Sequence, residues 1–361
     1  MNYITVPVSV LNRYICQIFE QIGLNKQDQQ QAAAVLLAAD LRGIESHGLA
    51  RLSGYIRLWE KKRINSKPNI QIVHELSTTA TVDGDEGLGL VVAPFAMDLA
   101  ISKATQYGSA WVAVRNSNHF GIAAYHAMKA LPNDMIGIAM TNASPLVAPT
   151  FSIERMLGTN PMCFAFPAKK HDPIVIDMAT AAAANGKLEI AQRANKSIPE
   201  GWLQTNEGMA STDPNELKKG GSLLPLGSDI AHGSHKGFGL SATVDILTAV
   251  LSGANFGPWV PPFVSFLEPA ENPVGKGIGH FFGAIRIDGF RAKEDYYHAI
   301  DTWIERFKNS ERKSAEQPVI IPGEPEMEAH RKYEKGGIPI NEIVYNDLKK
   351  LAMELNVSME F

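Results

Sequence analysis

Apolar residues at Val10, Leu11, Ile15, Ile18, Phe19 and Ile22 recur at the helical period and predict a helix over 9–22, stopped by Gly23. An Ala- and Gln-rich run predicts a second helix over 27–41, ended by Gly43, and Leu52, Tyr55, Ile56 and Trp59 share the face of a third over 49–64. Pro68 marks a boundary. From Ile70 onward short apolar strands alternate with helices. Strands are expected at 70–73, 80–83, 110–114, 136–141, 163–166, 174–177 and 281–287. Helices are expected at 91–106, 122–131, 179–194, 239–251, 292–308 and 340–355. Residues 199–229 are dense in Gly, Pro, Asn and Ser and read as a long ordered loop of the kind that carries function. Residues 311–317 read as a polar linker. The alternation predicts an α/β fold.

Three regions follow: a helical one over 1–68, an α/β one over 69–310 and a C-terminal segment over 311–361 packing with the first. The 361 residues exceed most single cores. With 45% apolar and 20% charged residues the chain is of ordinary globular type. A net charge of −4 offers no basic surface for nucleic acid. No apolar run reaches the roughly 18 residues that cross a bilayer, and no leader segment is apparent, so a cytoplasmic protein is expected. The two cysteines, Cys16 and Cys163, sit in apolar runs and are expected to be reduced and buried.

Candidate chemistry concentrates in Glu45-Ser46-His47-Gly48-Leu49-Ala50-Arg51. On a helix His47 and Arg51 would share a face. One titrates near neutral pH and the other is a permanent bidentate carboxylate clamp. A 2-hydroxy or 2-oxo acid needs that pair; a surface helix start with an incidental histidine fits the same residues. Four polar segments gather at strand ends: Asn116-Ser117-Asn118-His119-Phe120-Gly121, Asn142-Ala143-Ser144-Pro145, Gly158-Thr159-Asn160-Pro161-Met162 and Asp177-Met178-Ala179-Thr180. Ligands bind at such ends in α/β sheets. Helix caps and turn chemistry explain each one singly.

Gly237-Phe238-Gly239-Leu240-Ser241-Ala242 has the glycine spacing of a dinucleotide fingerprint, but no strand precedes it and no acid follows about 20 residues on, so an ordinary Rossmann site is rejected. Lys236 directly before it can hold a phosphate at a helix start. His232 and His235 have no carboxylate at ligand spacing, so no metal site is assigned. A metal-dependent hydrolase built on His47, His119, His232 and His235 is the rival from another class.

Several segments in family order resemble the malate/L-lactate dehydrogenases that lack a Rossmann fold: Arg42-Gly43-Ile44-Glu45-Ser46-His47-Gly48, the Asn116–Gly121 and Gly158–Pro161 stretches, Ile176-Asp177-Met178-Ala179, Lys187-Leu188-Glu189, Leu224-Pro225-Leu226-Gly227, His235-Lys236-Gly237 and Ile321-Pro322-Gly323-Glu324. The resemblance implies a non-Rossmann mixed-sheet cofactor-binding unit with helical N- and C-terminal parts. It also implies a homodimer, and NAD as cofactor with NADP possible. Catalysis would fall to His47 with Ser46 beside it, to Arg51 as carboxylate ligand, and in some members to the counterpart of His119. His119, Phe120, Gly121, Ser144, Thr159, Asp177, Met178, Ala179, His235, Lys236, Pro322, Gly323 and Glu324 match cofactor contacts. The substrate expected is a malate- or lactate-type 2-hydroxy acid. A cyclic imine 2-carboxylate or a sugar-acid ketone is the alternative within the family.

Overall fold

The computed structural model describes residues 2–361. The chain opens with strand β1 (Tyr3–Val6) and helices α1 (Val8–Gln21), α2 (Lys26–Leu41) and α3 (Leu52–Glu60). Strands β2 (Gln71–Glu75) and β3 (Thr79–Asp83) lead to α4 (Gly89–Tyr107), β4 (Ser109–Ser117), α5 (Ala123–Met128) and β5 (Met135–Thr141). Then come β6 (Met162–Phe166), β7 (Ile174–Met178) and α6 (Asn185–Arg193). Three two-residue strands follow, β8 (Leu203–Gln204), β9 (Ala210–Ser211) and β10 (Ser222–Leu223). Helix α7 (Ser234–Asp245) runs on into a π turn, Ile246–Val250. The chain ends with β11 (Ile278–Arg286), α8 (Lys293–Lys308), α9 (Glu324–Gly336), β12 (Ile338–Asn341) and α10 (Glu342–Glu354).

Seven strands form one mixed sheet in the order β2-β3-β4-β11-β5-β6-β7, with β3 and β4 as its parallel pair. Following the pairings, the C-terminal ends of β3, β4, β5 and β7 share one edge with the N-terminal ends of β6 and β11. The polar strand-end segments therefore do meet at one edge, through antiparallel neighbours rather than parallel βαβ crossovers. Helices α4 and α5 cover one sheet face. Most of α4 is buried, so its residues are apolar all round rather than on one stripe. Gly137 of β5 lets α5 sit directly on the sheet, because a Cβ there would lie 1.9 Å from the Ala127 carbonyl. On the other face Trp111, Ile138, Met140 and Phe281 pack with Val244 of α7.

The first and last segments share a core. Leu11, Ile15, Ile18, Phe19, Leu36, Leu52 and Ile56 bury against Leu348, Leu351 and Ala352. The Tyr14 hydroxyl donates to the Leu348 carbonyl at 2.6 Å, and β1 pairs antiparallel with β12. Helix α9, which the apolar pattern does not predict, has no buried residue and so carries no apolar period to read. The expected helix over 179–194 is shortened to α6. Its first residues are extended, since Thr180 accepts from the Leu226 amide at 2.9 Å and Ala181 bridges to Pro225, so tertiary pairing overrides alanine propensity. The third helix likewise ends at Glu60 rather than near residue 64.

Candidate active site

His47 does not sit on a helix. Gly43, at φ +73°, ends α2, residues 44–48 turn, and a short 3-10 turn at Leu49–Arg51 leads into α3. The buried Asp40 carboxylate accepts the Leu49 amide at 2.8 Å, and a Cβ on Gly48 would lie 2.1 Å from it, so a glycine is required there. Burial pushes the Asp40 carboxyl up to about 8. The turn brings His47 and Arg51 to one cavity, as a helical face was expected to do. Ser46 serves both: its hydroxyl lies 2.9 Å from His47 Nδ1, and its carbonyl accepts Arg51 Nε at 2.5 Å.

His119 enters from the end of β4. Its Nδ1 is 2.6 Å from the Tyr55 hydroxyl and accepts the Gly121 amide at 3.3 Å. The imidazoles of His47 and His119 stack with centroids 5.8 Å apart. Phe263 closes over His119 at 4.6 Å, its amide donating to Ser144 Oγ at 2.8 Å. His47, His119 and Phe263 line a cavity of about 60 Å³ with Arg51, Ser144, Thr159 and Gly186. Burial, then the Arg51 charge, lowers the His47 pKa to about 3. Burial first, then His47 and Arg51, holds His119 well below its ordinary value. Both imidazoles are therefore neutral near pH 7, and because His119 Nδ1 accepts the Gly121 amide, the proton of that ring is on Nε2.

A larger groove of about 330 Å³ adjoins the cavity and shares Arg51, Asn185 and Phe263 with it. Four cations line it (Arg51, Arg57, Arg193 and Lys218) against one carboxylate, Glu189. Helix α6 forms a wall common to both spaces. Gly186 lies so close that a Cβ would sit 2.4 Å from Ser46 Cβ. Glu189 grips Arg51 through Nη1 at 3.2 Å and Nη2 at 2.8 Å. The sequence reading gave Tyr55 and Phe263 no site role and quoted Glu189 only within the Lys187–Glu189 segment. Tyr55 sits four residues after Arg51, a signal that its place on the apolar face of α3 concealed; Phe263 lies in a loop without any pattern.

The remaining predicted residues spread along the sheet edge. Phe120 turns inward, stacked on His280 at 4.9 Å and packed against a tilted His126 at 4.7 Å, so its backbone rather than its ring faces the site. Asp177 caps α5, accepting the Ala124 amide at 2.9 Å through Oδ2, and does not start the helix after it. Burial pushes its carboxyl up to about 6. The Thr159 carbonyl accepts the Thr180 amide at 2.9 Å, and a Cβ on Gly237 would lie 2.1 Å from the Leu226 carbonyl. A continuous strip thus runs from Thr159 through Asp177–Thr180 and Leu226 to Lys236. Lys236 and His235 are exposed in the first turn of α7. The Pro322 carbonyl accepts the Val175 amide at 3.0 Å, holding the Pro322–Glu324 turn against β7. The Glu324 carboxylate is engaged by Lys308 and the Ile321 amide. The donor set fits an anionic dinucleotide: an unpaired ammonium at a helix start, with an acid and backbone groups beside it. His232 pairs with Asp229 at 2.8 Å and lines neither cavity. Among the described residues no three His, Cys, Asp or Glu side chains converge as metal ligands, and no helix is long and apolar enough to cross a membrane.

Residues 6–349 match the family model for malate/L-lactate dehydrogenase. The chain is 42% identical over 357 residues to a malate dehydrogenase of Pyrococcus horikoshii, covering 99% of this chain and 97% of that one. It is 38% identical over 349 residues to an L-sulfolactate dehydrogenase of Methanocaldococcus jannaschii, covering 96% of each. A crystal structure of malate dehydrogenase from Entamoeba histolytica superposes with a TM-score of 0.92 at 33% identity over the full length of both chains. An edge-lined mixed sheet, two neutral histidines beside an arginine, and these matches along the whole chain agree: the protein belongs to the malate/L-lactate dehydrogenase family and is an oxidoreductase of hydroxy and oxo acids that uses a nicotinamide cofactor.

Proposed function

We propose that the enzyme interconverts a malate-type 2-hydroxy acid and its 2-oxo acid, with NAD as the preferred dinucleotide. The carrying observation is the convergence of Arg51, His47 and His119 on one small cavity. Arg51 holds the substrate carboxylate and fixes the orientation of C2, a positioning effect. His47, held through Nδ1 by Ser46, accepts the hydroxyl proton in oxidation and returns it in reduction. Tyr55 and Phe263 orient His119 beside it and exclude water. The nicotinamide, when bound, supplies the hydride chemistry. Malate is favoured over lactate by the adjoining groove, where four cations face one carboxylate and a second anionic group on the substrate is welcome. Asp177 Oδ1, which accepts no hydrogen bond among the described residues, suits a ribose hydroxyl and disfavours a 2′-phosphate, which supports NAD over NADP. The homodimer implied by the resemblance is supported by the outer face of α7 and its π turn, which exposes Leu240, Ile246, Val250 and Leu251.

A panel of 2-oxo acids and one cyclic imine 2-carboxylate, assayed by absorbance with NADH and NADPH, tests the reading. Oxaloacetate with NADH is expected to give the highest kcat/KM. Faster reduction of the imine would replace this substrate class with the other. Lys236 is assigned to the cofactor's pyrophosphate or neighbouring ribose. A charge-assisted hydrogen bond contributes about 1.5–3 kcal/mol, so Lys236→Ala should weaken NADH binding by roughly tenfold to a hundredfold. Added salt should weaken binding less in the variant than in the parent. Equal dissociation constants in a fluorescence titration would leave Lys236 a helix-start residue.

A further inference from the structure

The guanidinium that should hold the substrate is already occupied. Arg51 spends Nε on the Ser46 carbonyl, and both terminal nitrogens on the two carboxylate oxygens of Glu189. Its side chain is only 13% exposed, so there is no second open approach with a full fork. A carboxylate arriving from outside meets the geometry Arg51 offers already filled by a carboxylate of the chain's own. Glu189 is the more accessible member, with its side chain 32% exposed toward the groove, and Asn185 Nδ2 steadies its Oε1 at 2.8 Å.

Four residues further along α6 stands Arg193. Glu189 and Arg193 have the i,i+4 spacing, acid first, that favours an ion pair on a helix face. Both line the same 330 Å³ groove, so the carboxylate can swing between them by rotating about its own side-chain bonds while the helix stays in place. Arg193 has no ion pair or hydrogen bond to any other described side chain. Of the other two cations in the groove, Lys218 donates to the Gln192 side-chain oxygen Oε1 at 3.1 Å, and Arg57 donates to the Phe263 carbonyl.

We propose that Glu189 is a resident carboxylate that fills the Arg51 fork until substrate binds, and that it then passes to Arg193. This rests on the assignment of Arg51 as the substrate's carboxylate ligand. A tethered carboxylate competes with every free one, so the apparent affinity of any substrate is lowered by the fraction of enzyme in which the fork is filled. The exchange also leaves each of the two guanidiniums, Arg51 and Arg193, facing one carboxylate when substrate is bound. The substrate's carboxylate replaces that of Glu189 beside Arg51, and Glu189 neutralises a cation that would otherwise stand alone. Glu189 is therefore a positioning residue that sets the concentration range in which the enzyme works and does not touch the reacting atoms.

Malonate, a dicarboxylate with no hydride to give, isolates the binding step. Its dissociation constant would be measured calorimetrically on the full chain with a reduced nicotinamide dinucleotide present. Glu189→Gln should tighten malonate binding by roughly two- to fivefold, the scale of a partly exposed ion pair. Glu189→Asp keeps the charge but is one methylene too short to fill the fork, and should tighten it by a similar factor. Arg193→Gln should weaken malonate binding about threefold in the parent and leave it unchanged in the Glu189→Gln background. Unchanged or weaker binding in both Glu189 variants would overturn the proposal, as would an Arg193→Gln effect that persists without Glu189, since Arg193 would then touch malonate itself. Arg51→Lys distinguishes the underlying reading: if it leaves malonate binding intact, the carboxylate is held elsewhere and the assignment of Arg51 falls. If it weakens binding while the Glu189 variants do nothing, only the exchange falls.

Discussion

Replacing His47 by alanine should lower kcat for 2-hydroxy acid oxidation by about 10²–10⁴-fold, the usual contribution of a positioned acid–base group, while the dinucleotide dissociation constant stays near that of the parent. The expectation follows from how the two imidazoles are tied. His47 Nδ1 is held by the Ser46 hydroxyl and His119 Nδ1 by the Tyr55 hydroxyl and the Gly121 amide, so among the described residues Nε2 of each ring has no partner. In His119 it carries the ring proton, because Nδ1 accepts from Gly121, whereas in His47 it can accept one when Nδ1 donates to Ser46. Ser46 also anchors Arg51, so His47 is fixed relative to the carboxylate ligand and His119 is not. That shared anchor favours His47 as proton carrier. His119→Ala should weaken cofactor binding as well as rate; a larger kcat loss there than in His47→Ala would exchange the two roles.

The pH profile carries the same assignment. Burial and Arg51 lower the His47 pKa to about 3 in the free enzyme, so the basic form persists as pH falls through 6.5. The acid limb of kcat/KM for oxidation, which reports free enzyme, should therefore lie well below pH 5. A substrate carboxylate on Arg51 takes the place of the Glu189 carboxylate that already stands there, so the limb of kcat should lie close to that of kcat/KM. A kcat/KM limb centred near 6.5 would assign the proton to a solvated group.

What could be read from the sequence was what leaves a periodic or local mark. Amphipathic α1 and α3 and the apolar strands are periodic, and the polar strand ends at Asn116, Asn142, Thr159 and Asp177 mark one sheet edge because they interrupt the apolar runs. Helix α9 was silent, since a helix with no buried residue has no apolar stripe. The 179–184 run misled for the opposite reason: alanine favours helix, while pairing with Leu226 and Pro225 made it extended. His47 and Arg51 were singled out by residue chemistry and do line one cavity, although the predicted helix joining them is a turn. Glu189 was invisible as an Arg51 partner because 138 positions separate the two, and nothing local in a chain records which distant acid a buried arginine meets.

Substitution of Arg51 by lysine should raise KM for L-malate by roughly tenfold to a hundredfold. Losing one bidentate, charge-assisted hydrogen bond costs about 1.5–3 kcal/mol even when the positive charge is kept. A lysine has no fork for a carboxylate and no Nε to donate to the Ser46 carbonyl. The second loss loosens the Ser46–His47 pair, so kcat should also fall, though by less than tenfold. Cofactor affinity should not change, because the strip from Thr159 through Thr180 to Lys236 lies along the sheet edge and gains nothing from Arg51. Steady-state kinetics with L-malate and a separate NADH titration check the three numbers together. An unchanged KM with a large loss of kcat would mean that Arg51 acts only in the transition state, and a parallel loss of NADH affinity would place it against the dinucleotide instead of the acid.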